Sequence, residues 1–133
     1  MLQPYEKYLS EVLISEQALQ DRVRELGKLI SDDYADCEDL LMICILKGGV
    51  MFLTDLTRHI IVPHEIDFMA VSSYGKGART STKNVRIDMD LTSALAGKDV
   101  LIVEDIIDSG HTLDFVINML QARSPRSIKL CTL

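Results

Sequence analysis

The chain has 133 residues, 47% of them hydrophobic and 26% charged, with 14 basic against 20 acidic side chains and a formal net charge of -6. At this length a folded chain buries roughly two-thirds of the surface its unfolded form exposes, so a single domain over residues 1–133 can form its core without disulfides or a structural metal; a disordered chain, a collagen-like repeat and a disulfide-stapled mini-protein are excluded. The acidic balance argues against broad nucleic-acid binding, which depends on basic patches, yet is compatible with a small anion held by backbone N–H groups, local cations and Mg²⁺.

The N-terminal stretch MLQPYEKYLSEV carries charges and no uninterrupted apolar run, so it does not read as a secretory signal. The apolar runs Leu40 to Leu46 and Val100 to Val103 are far shorter than the roughly 18 residues of a membrane-spanning helix, and the expected location is the cytoplasm, away from any membrane. From Ser15, placed as an N-cap, Leu19, Val23, Leu26 and Ile30 recur at helical spacing, and a polar stretch from Ser31 to Asp39 closes the segment. LLMICIL, Leu40 to Leu46, has the length and uniform apolarity of a strand covered on both faces of a mostly parallel sheet. Gly48 and Gly49 break it, and Val50, Leu53, Leu56 and Ile60 resume helical periodicity.

Beyond Pro63 and His64, the segment Ile66 to Val71 reads as a buried strand and Val85 to Leu91, alternating apolar and polar, as a half-solvated one. Between them lies a polar stretch, Ser72 to Asn84, with Lys76, Arg79 and Lys83 and no acid; its length fits a lid or binding loop, the plainer alternative being a hairpin connection. Asp99 to Glu104 is a further buried strand, followed by a helix carrying Leu113, Val116, Ile117 and Leu120 that Pro125 stops, and SIKLCTL is a last strand. Strands alternating with helices predict an α/β fold: an open, mostly parallel sheet flanked by helices. Cys37, Cys44 and Cys131 are odd in number, lack metal-ligand spacing, and read as reduced thiols, two of them in core strands. Met42, Met51, Met69 and Met119 read as core filler, and His59 as a neighbour of the carbonyls ending the second helix.

The segment with most chemistry is VLIVEDIIDSGHTL, Val100 to Leu113, where a buried strand runs into two acids, a small-residue turn and a helix start. Ligands of open α/β sheets bind at the carboxyl ends of strands. In Asp108-Ser109-Gly110-His111-Thr112 the glycine permits close backbone approach, and successive N–H groups at the helix start are donors for a phosphate, with the Ser109 and Thr112 hydroxyls beside them. Glu104 and Asp105 are acceptors suited to a sugar diol or to Mg²⁺. Taken singly, Asp108 or Ser109 could be a mere N-cap and the two acids a solvated strand end; three carboxylates and a small-residue turn at one strand end favour a ribose-phosphate site. No Walker lysine follows the glycine and no G-x-G-x-x-G is present, which argues against a P-loop or dinucleotide site.

This stretch resembles the phosphoribosyl-pyrophosphate motif of the type I phosphoribosyltransferases: four apolar residues, two acids, two apolar residues, then a phosphate loop. Leu46-Lys47-Gly48-Gly49 is similar to the short pyrophosphate loop of that family's hypoxanthine-guanine branch, and Ser72-Ser73-Tyr74-Gly75 to the start of that branch's mobile lid. The resemblance implies purine salvage: transfer of ribose 5-phosphate from phosphoribosyl pyrophosphate to hypoxanthine or guanine, with Mg²⁺ required and pyrophosphate released. It assigns Glu104 and Asp105 to the ribose hydroxyls and Mg²⁺, Asp108 to acid/base work near purine N7, and Ser109, Gly110, His111 and Thr112 to the 5-phosphate. Lys47, Gly48 and Gly49 would meet pyrophosphate, and Ser73 and Tyr74 would close over it.

In that family a further segment follows the strand matching Ser127 to Leu133 and supplies a lysine, an aromatic and an acid for base recognition; on this comparison the chain is expected to be C-terminally shortened, with an uncovered apolar edge that favours a homo-oligomer. Two other readings use the same residues. One is a non-catalytic regulator on the same fold that senses phosphoribosyl pyrophosphate or nucleotide, against which the net charge of -6 weighs if RNA is its partner. The other is a receiver-like signalling domain, for which the expected early acids and late lysine are not evident.

Overall fold

The computed structural model describes residues 5–74 and 84–133. After a short 3₁₀ turn, Glu6–Tyr8, come α1 (Glu16–Asp33), β1 (Leu40–Ile45), α2 (Val50–Thr57), β2 (His64–Tyr74), β3 (Asn84–Met89), β4 (Asp99–Glu104), α3 (His111–Gln121) and β5 (Ser127–Thr132). The five strands form one sheet in the order β3-β2-β1-β4-β5. β1 pairs in parallel with β2 and β4, β4 pairs in parallel with β5, and β3 alone runs antiparallel, against β2.

The uniform apolarity of β1 has a direct structural cause. Met42 and Cys44 face a core built with Val23, Leu26 and Ile30 of α1 and Phe52, Leu53 and Leu56 of α2. Leu41, Ile43 and Ile45 point the other way, onto Val116 and Leu120 of α3 and Leu95 of the β3–β4 connection. Successive strand residues face opposite sides, so a strand covered on both must be apolar throughout. All six β1 residues are buried, as are the four central residues of β4. Among the described residues no helix is long and apolar enough to cross a membrane.

α1 begins as expected: the Ser15 hydroxyl accepts from the Ala18 N–H at 3.1 Å. Its end differs. The helix runs on to Asp33, and Ser31, expected in a polar closing stretch, is buried. There its hydroxyl donates to the Gly27 carbonyl at 2.7 Å and accepts from the Ile61 N–H at 3.1 Å, so it joins α1 to the chain leaving α2. This approach is close enough to need Gly27: a Cβ there would lie 2.5 Å from His59 Cβ and 2.9 Å from the His59 carbonyl oxygen. Helix propensity favours alanine over glycine by about 1 kcal/mol, but the obstacle is backbone that cannot turn aside. Gly27→Ala is therefore expected to destabilise the fold by about 1–3 kcal/mol, read as a lower denaturant midpoint at unchanged slope.

Other sequence expectations are refined. β2 extends to Tyr74 and β3 begins at Asn84, beyond the Ile66–Val71 and Val85–Leu91 segments, because the antiparallel ladder carries the polar residues Ser72 and Ser73 as well as the apolar ones. The flanks of the predicted lid, residues 72–84, thus form a hairpin, while positions 75–83 and the Tyr74 side chain lie outside the described residues. Met42 and Met69 are core filler and Met119 is half-buried, but Met51 is 75% exposed, being turned off the Leu53–Leu56 stripe of α2. The three cysteines are free thiols, with Cys44 and Cys131 buried. Burial first, then the Glu104 and Asp105 carboxylates, push the Cys44 thiol up to about 11.

Candidate active site

The chain leaves β1 toward α2 on one face of the sheet and leaves β4 toward α3 on the other, although β1 and β4 are neighbours. Connections that part to opposite faces open a crevice at the carboxyl ends of the two strands, which is where open α/β sheets bind ligands. Here the crevice is a cleft of about 250 Å³ lined by Ile45, Glu104, Ile106, Ile107, Asp108, Ser109, Gly110, Thr112 and Leu113. Five of these are site residues expected from the sequence. The four isoleucine and leucine side chains were not singled out there, since only the fold shows which apolar residues flank a strand end.

Each polar member has a local cause. Gly110 precedes α3 at φ 79°, a left-handed conformation that a side chain disfavours, and it offers no side-chain cap to the helix. The first turn closes through the Asp114 N–H on the Gly110 carbonyl at 2.8 Å. The Ser109 hydroxyl reaches the His111 N–H only at 3.5 Å. The helix start therefore presents weakly engaged N–H donors to the cleft, the arrangement that favours a bound anion. Asp108 and Ser109 are exposed, Thr112 is half-buried.

Glu104 ends β4 half-buried, and its Oε1 is enclosed without a hydrogen-bond partner. Burial, reinforced by the neighbouring Asp105 charge and opposed by the Ile45 N–H, pushes its carboxyl up to about 7. Asp105 Oδ1 accepts from the Ile106 N–H at 2.8 Å. The turn after β1 comes directly against this acid: a Cβ on Gly48 would lie 3.3 Å from Asp105 Oδ1, and one on Gly49 would lie 3.1 Å from the Val103 carbonyl and 3.2 Å from Cys44 Sγ. Two segments more than 50 residues apart are thus brought into contact, and the glycines are what let them approach. The Leu46–Lys47 peptide between them and β1 is cis.

Lys47, Ser73 and His111 are exposed and are not part of the cleft lining. Ser73 lies near the far end of β2, which continues five residues past the pairing of Ile45 with Met69. Among the described residues no group of three or more His, Cys, Asp or Glu side chains is assembled as a metal cage. The donor set still suits a hard cation such as Mg²⁺, which is commonly held by one or two carboxylates together with substrate phosphates, and the unpartnered Glu104 Oε1 is free to accept from a ligand or bind an ion.

A family model for the phosphoribosyl transferase domain matches residues 11–133. The hypoxanthine phosphoribosyltransferase of Salmonella typhimurium is 48% identical over 128 residues, covering 96% of this chain and 71% of that protein. The hypoxanthine-guanine phosphoribosyltransferase of Mycobacterium avium is 47% identical over 139 residues, covering 98% and 68%. Among solved structures, a hypoxanthine phosphoribosyltransferase from Staphylococcus aureus superposes with a TM-score of 0.92 at 41% identity, over all of this chain and 71% of that one. The chain belongs to the phosphoribosyl transferase domain family and is similar in sequence and fold to its hypoxanthine and hypoxanthine-guanine members.

Proposed function

We propose that the chain acts in purine salvage, transferring ribose 5-phosphate from phosphoribosyl pyrophosphate to hypoxanthine or guanine and releasing pyrophosphate. The observation that carries this reading is the placement, at the adjacent carboxyl ends of β1 and β4, of Glu104 and the Gly110 helix start, which line the cleft, and of the turn after β1, whose Gly48 stands against Asp105 outside that lining. Its relatives carry the matching names.

In this reading the 5-phosphate sits on the N–H groups that follow Gly110, with Ser109, His111 and Thr112 around it. Glu104 and Asp105 accept from the ribose hydroxyls, which fixes the sugar ring relative to that phosphate. The bond from the sugar to the pyrophosphate oxygen breaks as purine nitrogen attacks, so positive charge grows on the ring and negative charge on the leaving group. Backbone donors of the Lys47–Gly49 turn and the Lys47 ammonium meet that negative charge, and Ser73 and Tyr74 approach it from β2. Asp108 accepts or holds a proton at purine N7. Bound Mg²⁺, held by Glu104 and Asp105 with substrate oxygens, would neutralise charge on the pyrophosphate. Association of copies is part of the same proposal.

Calorimetric titration of phosphoribosyl pyrophosphate with Mg²⁺ tests the reading. The parent chain is expected to bind in a magnesium-dependent way, and Asp105→Ala to weaken binding by tenfold or more, roughly the cost of one hydrogen bond to a charged group. A chain shown to be folded by circular dichroism that binds nothing overturns it.

A further inference from the structure

Asp67 is one of two buried polar or charged residues among those described, and no step above uses it. It lies on β2 at 6% exposure. Its Oδ1 accepts from the Phe68 N–H at 2.8 Å, and its Oδ2 accepts from the Thr92 N–H at 2.9 Å, the Ser93 N–H at 2.8 Å and the Thr92 hydroxyl at 3.3 Å. Burial pushes its carboxyl up, but the donors of Ser93, Phe68 and Thr92 outweigh this and hold it below the ordinary range. A charge so placed anchors the chain that has just left β3. Asp90, two residues earlier, is held as well, by both terminal nitrogens of Arg123 at 2.9 Å each.

The anchor matters because the β2–β3 ladder is irregular. Ala70 faces Met89 but Val71 faces Ile87, so Asp88 is an extra residue on β3. A one-residue slip of β3 would remove this bulge. It would also exchange the half-buried Val85 and Ile87 with the exposed Asn84, Arg86 and Asp88, and change which residues stand opposite Ser73 and Tyr74. With Thr92 and Ser93 held on Asp67, the chain between Met89 and the anchor is too short to take up such a slip without losing those bonds.

We propose that Asp67 is a positioning residue for the pyrophosphate side of the site: by holding Thr92 and Ser93 it sets the β2–β3 register that presents Ser73 at the end of β2. The proposal rests on the phosphoribosyl-pyrophosphate reading for its ligand. It separates two halves of one site, since the 5-phosphate side, residues 108–112, is built on β4 and α3 and does not depend on that register.

The experiment measures magnesium pyrophosphate and ribose 5-phosphate binding, together with amide hydrogen exchange, in the parent, Asp67→Asn and Arg123→Gln. Expected for Asp67→Asn is a pyrophosphate Kd about tenfold higher, roughly the loss of one hydrogen bond to a charged group, with ribose 5-phosphate binding unchanged and exchange faster in β3 but not in β1 or β4. Arg123→Gln, a change at a partly exposed side chain, keeps the test decisive if Asp67→Asn fails to fold, and shifts the same quantities in the same direction by less. Unchanged binding of both ligands, or parallel loss of both with faster exchange throughout the sheet, overturns the proposal. If the parent binds neither ligand, the functional reading has failed instead, and selective against uniform exchange in β3 still decides whether Asp67 sets the register.

Discussion

Asp108→Asn is expected to lower purine transfer by about 10²–10⁴-fold, the usual contribution of a positioned general acid or base, while phosphoribosyl pyrophosphate binding is expected to stay near the parent value. The reason is positional. Asp108 lines the cleft beside the helix start but is exposed, and it stands three residues beyond the Glu104–Asp105 pair assigned to the sugar. An asparagine keeps the size and can still donate or accept a hydrogen bond, but it cannot take up a proton from the purine. Single-turnover transfer beside calorimetric binding checks the split. Equal losses in transfer and in binding would place Asp108 with the phosphate rather than with the base, and no loss in either would remove it from the mechanism.

Glu104→Gln separates stability from binding. The carboxyl of Glu104 lies at about 7 in the folded chain, raised by burial and by Asp105 from an ordinary value near 4.5. The folded state therefore holds this proton more tightly than the unfolded chain does. The penalty for ionising it is absent below about pH 4.5, grows as pH rises toward 7, and is complete above that. For a half-buried group, discounted for solvent screening, it amounts to roughly 1–2 kcal/mol. Glu104→Gln removes it, so the variant is expected to be more stable than the parent at pH 8 by that amount and to match it at pH 4.5, as denaturant midpoints will show.

The same carboxylate is assigned to the sugar and the cation, so the variant is expected to lose most magnesium-dependent binding. If Glu104 has that role, ligand binding in the parent is expected to require the ionised form. Affinity should then rise with pH up to about 7 and level off above it, with proton release visible in buffers of different ionisation enthalpy. A variant no more stable at pH 8 than the parent would show that Glu104 carries no buried charge. The orphaned Oε1 gives this trade-off its structural form: an acceptor enclosed without a partner lowers stability in the free protein and is available to a ligand.

Much of this fold follows from short-range pattern. LLMICIL and DVLIVE are apolar because β1 and β4 are covered on both faces, and their place inside a parallel sheet is legible from six or seven residues each. Ser15 caps α1, Gly110 takes the left-handed turn, and the acids and small residues after β4 lie at a strand end, all of it chemistry that neighbours in sequence decide. Periodicity records which face of an element is apolar, and turn residues record where the backbone must bend.

Neither states which distant group will stand opposite. Gly27 against His59, Ser31 joining α1 to Ile61, Gly48 against Asp105, and Asp67 holding Thr92 and Ser93 are contacts across 25 to 57 residues of chain. The sequence shows these residues only as a helical glycine, a polar helix end, a turn glycine and an acid in an apolar run. Met51 has the composition of core but faces outward because α2 is covered on one side. The sequence by itself determined the sheet, the chain order and the chemistry available at one strand end. Only the tertiary structure decided which groups meet there, and it raised Glu104 toward neutrality, because burial and through-space repulsion arise only when the chain has packed.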